Sequence, residues 1–116
     1  MKQGREPDPI PRYAGMLQAL GNEPRLRIVR LLLEAYPDGM VVNQVQEELG
    51  IAASTLSHHL EKLKNEELVT VSREGTFLRY NANAEALREV LQFLFSSCCS
   101  RSTAVKAESV IQIGKR

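Results

Sequence analysis

Apolar residues recur at helical spacing along most of this chain. Tyr13, Met16, Leu17 and Leu20 share one helical face, and Gly21 follows them. Leu26, Val29, Leu31, Leu32 and Leu33 mark a second and strongly apolar helix, expected at the centre of the core. Asn22 is suited to cap it, and Pro24 falls in its first turn, where a missing N–H does no harm. Arg25, Arg27 and Arg30 are expected on its exposed side. Pro37-Asp38-Gly39 is a turn signal. Asn83 can cap a last helix with an apolar set of Leu87, Val90, Leu91, Leu94, Phe95 and Cys98. Phe93 lies on another side of that helix, so its apolar surface is wider than one stripe and calls for burial on two faces.

The stretch from Val42 to Leu63 reads as two helices joined by a tight turn. Asn43 with Gln46 three residues later resembles a capping box, Val45 and Leu49 give an apolar face, and Gly50 is placed to end the helix in a left-handed conformation. A second helix, residues 53–65, carries Leu56, Leu60 and Leu63 as a stripe for burial. At about 100° per residue, Ser54, His58, Glu61 and Lys62 point away from that stripe, with Thr55 beside them. Short hydrogen-bonding side chains near a helix N-terminus suit entry into a DNA major groove. A polar face opposite leucines also occurs on ordinary surface helices.

The alternation then changes to a period of two. Residues 68–73 and 76–80 are rich in β-branched and aromatic residues, and Glu74-Gly75 between them gives a hairpin turn. Helix, turn, helix and a basic-tipped hairpin make a winged helix-turn-helix, a mainly α fold with a β-hairpin wing (α+β). The element order, together with LGNEPRLRIVRLL at 20–32 and STLSHHLEKLKNEELV at 54–69, resembles the ArsR/SmtB family of bacterial repressors over roughly residues 10–99. The resemblance implies a homodimer through the first and last helices. It also implies that Ser54, Thr55, Ser57 and His58 contact bases and nearby phosphates of an inverted-repeat operator in double-stranded DNA. Lys62, Arg73 and Arg79 would hold the DNA backbone, the last two from the wing.

At 116 residues with 43% hydrophobic content, the chain reads as one domain. Residues 1–11 are expected to be a flexible arm, 12–99 the winged domain and 100–116 a loosely ordered tail. The absence of a long apolar run or a charged-then-apolar leader predicts a cytoplasmic protein without a membrane span. No nucleophile–base pair, phosphate loop or acid pair stands out, so an enzyme is not expected. The net charge of +1 does not announce a nucleic-acid partner. Between Asn43 and Tyr80 four cations face six carboxylates, a local −2, which keeps a protein-binding winged-helix module as an alternative.

Cys98 and Cys99 are the only cysteines. As bland packing, Cys98 would continue the apolar stripe. As a redox pair, adjacent cysteines would close a disulfide only with backbone strain. The last helix lacks histidine and aspartate, so the zinc site known on that helix in the family is missing. The family's arsenic site at the start of the recognition helix needs cysteines where this chain has Ser54, Thr55 and Ser57. Other members of the family carry an adjacent cysteine pair at the end of the last helix with a third cysteine a few residues later, and residues 100–116 hold none. Two thiolates suit a methylarsenite-type centre, which already has one As–C bond, better than inorganic arsenite, which takes three sulfurs. The expectation is therefore a repressor with no required cofactor, whose effector is a trivalent arsenical at Cys98 and Cys99. An organoarsenical is favoured over arsenite or antimonite, and a redox or unknown signal is the alternative.

Overall fold

The computed structural model describes residues 7–102, and these fall into two compact units, one ending at Ala84 and the other starting at Glu85. Most of the expected arm (residues 1–6) and tail (residues 103–116) lies outside the described residues. The first unit runs α1 (Ile10–Leu20), α2 (Glu23–Glu34), β1 (Met40–Val41), α3 (Val42–Leu49), α4 (Ala53–Asn65), β2 (Val69–Glu74) and β3 (Phe77–Ala82). Helix α1 thus begins two residues inside the stretch read as an arm, with Pro11 in its first turn.

The apolar stripes become the core as periodicity requires. Met16 and Ala19 of α1, Ile28, Val29 and Leu32 of α2, Val45 of α3 and Leu56, Leu60 and Leu63 of α4 are all buried. Each fully buried leucine contributes roughly 1.5–3 kcal/mol relative to an exposed one. Helix α2 corrects the sequence reading. Ile28 takes the central position, whereas Leu26 and Leu33 are exposed. Arg25 lies three and four residues before Ile28 and Val29, so it shares their inward face and is not on the exposed side.

Asn22 caps α2 as expected, its Oδ1 accepting from the Arg25 N–H at 3.1 Å. Helix α3 starts differently from the sequence reading. Its N-cap is Val41, in extended backbone, and the Val41 N–H donates to Gln44 Oε1 at 3.3 Å, so Asn43 lies inside the helix. The cause is β1, too short to show any periodicity. Met40 pairs with Tyr80 and Val41 with Arg79, which delivers the chain directly into α3. Gly39 makes this approach feasible, since at φ +76 a Cβ there would collide with the Tyr80 carbonyl oxygen.

Gly50 ends α3 at φ 65, as expected. Helix α4 closes in a Schellman arrangement, with Leu68 N–H donating to Leu63 O at 2.9 Å and Glu67 N–H to Lys64 O at 2.9 Å. Glu67 takes the left-handed position usually given to glycine, at φ 63. Its carbonyl accepts from Asn83 Nδ2 at 2.8 Å, which ties the end of α4 to the end of β3.

The sheet is antiparallel in the order β1-β3-β2. In the hairpin Glu74 pairs with Phe77, so the two-residue loop is Gly75-Thr76, one position later than the sequence suggested. Gly75 at φ +64 leads the loop, as in a type II′ turn.

In the second unit, α5 (Ala84–Phe95) buries Ala86 and Val90, while Leu91 and Leu94 are each 49% exposed. The helix stops three residues before Cys98. Ser96 to Arg101 form successive turns, with Cys98 N–H bonded to Phe95 O at 2.8 Å. Cys98 is therefore in the turn after the helix and does not continue its stripe.

Candidate nucleic-acid interface and thiol pair

With Leu56, Leu60 and Leu63 facing inward, the outer surface of α4 presents Ser54, Thr55, Ser57, His58, Glu61 and Lys62, all exposed. Five of these are predicted DNA contacts, and one helical face brings them together. Gly50 and the Schellman end fix both ends of the reading unit in backbone terms. The wing supplies the two remaining predicted contacts in different states. Arg73 is exposed near the hairpin tip. Arg79 is held: Nε donates to Glu74 Oε2 at 2.8 Å, and Nη1 reaches the carbonyls of Asp38 and Gly39 at 3.4 and 3.3 Å. Its ties to the β1 turn make Arg79 a brace of the sheet first.

These pairs also change the charge picture. Glu74 is engaged by Arg79, and Glu67 by Arg12 of α1 at 3.4 Å. Lys62, Lys64 and Arg73 make no ion pair among the described residues. The Glu74–Arg79 pair leaves the local −2 unchanged, since both residues are counted in it, whereas Arg12 adds one cation from outside the stretch and brings it to −1.

Two groups flank the helix, His59, which its position in the helical repeat puts at the border of the core, and Tyr80 of β3. His59, adjacent to His58 with ring centroids 6.1 Å apart, is half-buried, and its Nδ1 lies 3.3 Å from Arg25 Nη1. Its pKa is lowered, first by burial, then by Arg25 and His58. Tyr80 of β3 has its phenol pKa raised by burial and by Glu61 of α4. The signal for Arg25 was its spacing from Ile28, Val29 and Leu32.

In the second unit Cys98 and Cys99 are both free and half-buried. Cys99 has φ 65, and its carbonyl accepts from Ser102 N–H at 3.1 Å. Hydrogen bonding to the Cys98 side chain, then burial and the charge of Cys98, raise the Cys99 pKa. An open depression beside Cys99 is lined by Ser97, Ser100, Arg101 and Ser102. Among the described residues no cluster of three or more His, Cys, Asp or Glu side chains could hold a metal ion.

The family model for bacterial regulatory proteins of the arsR type matches residues 22–71, from the cap of α2 to the middle of β2. An HTH-type transcriptional regulator of Methanocaldococcus jannaschii is 32% identical over 81 residues, covering 70% of this chain and 89% of that protein. The chain belongs to the ArsR family. A second relative, from Halobacterium salinarum and provisionally named an arsenical resistance operon repressor, is 32% identical over 79 residues, 68% of this chain and 65% of that protein. The homodimeric winged helix-turn-helix DNA-binding domain of a Mycobacterium bovis protein superimposes with a TM-score of 0.62 at 24% identity, covering 90% of this chain and 100% of that one. This ArsR-family protein is thus a winged helix-turn-helix transcriptional regulator and not an enzyme. Among its described residues no helix is long and apolar enough to cross a membrane.

Proposed function

We propose that the protein is a homodimeric repressor that reads an inverted-repeat operator and releases it on binding a trivalent arsenical at Cys98 and Cys99. The DNA half of this reading is supported by the outer face of α4. Ser54, Thr55, Ser57 and His58 would meet base edges and adjacent phosphates, and Lys62 with Arg73 would hold the backbone. Arg79 would add charge from within the wing. Self-association is supported by exposed apolar side chains: Ile10 and Leu17 on α1, Leu91 and Leu94 on α5.

The effector half is carried by one observation, two neighbouring free thiols that interact with each other outside any helix. A methylarsenite-type centre, CH3As(OH)2, exchanges its two hydroxides for the two sulfurs and releases two waters, with no change of oxidation state. The absence of a third soft ligand among the described residues favours this centre over arsenite.

The test is a fluorescence-anisotropy titration of the reduced full chain on the DNA fragment upstream of its own gene, with methylarsenite and arsenite in parallel. Methylarsenite should release DNA at the lower concentration, and Cys98→Ser should abolish release while leaving DNA affinity in place. A coupling of roughly 1–3 kcal/mol would give a 5- to 150-fold loss of affinity. Release that survives Cys98→Ser sinks the effector assignment.

A further inference from the structure

Arg25 is fixed more completely than a surface arginine at a helix start. Its backbone N–H is held by the Asn22 cap at 3.1 Å, and its Nε donates to the Ala19 carbonyl in the last turn of α1 at 2.7 Å. Its Nη1 then meets His59 Nδ1 at 3.3 Å. One guanidinium therefore joins the end of α1, the start of α2 and the middle of α4. Because arginine only donates, the contact requires Nδ1 to accept, which means a neutral imidazole with its proton on Nε2. His59 is the neighbour of His58 on the proposed reading helix, and its half-buried ring lies on the flank between the DNA-facing set and the leucine stripe.

We propose that Arg25, acting through His59, is a positioning residue for α4, and that acidification breaks this contact and weakens DNA binding. The inference rests on the assignment of α4 as the DNA-reading helix. Protonation of His59 removes the acceptor and sets a second cation against Arg25, and neither can be relieved without moving the ring or the guanidinium. Among the described residues no hydrogen bond or ion pair joins a carboxylate to Arg25 or His59. On α4 the nearby charges are His58, also a potential cation, and Lys62, with Glu66 at the helix end across the cleft that Arg25 and Lys62 line. The one charge on α1, Arg12, pairs with Glu67, and those of β2, Arg73 and Glu74, lie at its hairpin end. The lowered pKa of His59 agrees with this surrounding.

The experiment follows binding of the full chain to the same DNA fragment between about pH 5.5 and 7.5 at constant ionic strength, the range where histidine titrates. Wild type is compared with His59→Asn, Arg25→Met and His58→Asn, and circular dichroism checks folding at each pH. Asparagine offers Oδ1 near the position of Nδ1 and cannot be protonated. Wild type should lose about tenfold in affinity on acidification. His59→Asn should restore a flat profile close to the neutral-pH affinity, Arg25→Met should be weak and flat, and His58→Asn should be weaker throughout but keep the downward slope. In a proton NMR titration the His59 ring should titrate below 6.5 in wild type and move upward in Arg25→Met. A flat wild-type profile, or a loss that persists in His59→Asn, overturns the proposal even with the NMR shift present. If no form of the folded protein binds the fragment at neutral pH, the assignment of α4 as the reading helix fails, and the inference with it.

Discussion

His59 and Arg25 show how a single contact links ionisation to stability. The His59 pKa in the folded chain lies below its ordinary 6.5, so the unfolded chain takes up a proton first as pH falls. Stability is therefore fully present above about pH 6.5 and declines below it, until the lowered native value is passed. Melting temperatures measured across this range should fall toward acid in wild type and fall less in His59→Asn. Glycine and its substitutes act at the same scale. Gly39 is required by the Tyr80 carbonyl, whereas Glu67 tolerates a left-handed backbone because Asn83 and Arg12 hold it there.

Helix α4 works as an element because its two faces have separate duties. Its leucines anchor it against α1, α2 and β2, and its polar face stays outside. Leu60 is fully buried, so Leu60→Ala should cost ~2–5 kcal/mol of unfolding free energy, measurable by denaturant titration. The loss should appear without any change in the exposed residues that face DNA. If stability changes by less than a few tenths, the packing described for α4 is wrong. The wing depends on its third strand in the same way, since the turn that leads into β1 gives Arg79 the carbonyls of Asp38 and Gly39.

For the molecule as a whole, the proposed dimer rests on apolar side chains that remain in water. Leu91 and Leu94 are each half exposed on α5, an apolar pair available for burial against a second subunit. Leu94→Glu should shift the sedimentation profile toward monomer and lower DNA affinity together, because two linked reading helices bind far better than one. A variant that sediments and binds as wild type would remove α5 from the interface.

The chain itself determined which segments became helices and which became the wing. Leu56, Leu60 and Leu63, the alternation of residues 68–80 and the signals at Asn22 and Gly50 are local patterns, and local patterns survive without a partner in space. The exposed set from Ser54 to Lys62 followed from the same periodicity. Other features depended on residues far apart in sequence. Strand β1 exists only through its pairing with β3, and that pairing moved the start of α3 from Asn43 to Val41. Arg25 turned inward because its spacing matched a buried stripe centred on Ile28, and only the fold supplied His59 as its partner. Arg79 became a brace because Glu74 and the β1 turn came within reach. Helix α5 ended at Phe95, three residues short of the Cys98 that the sequence placed on its stripe, since turn bonds from Ser96 onward replaced the helical ladder.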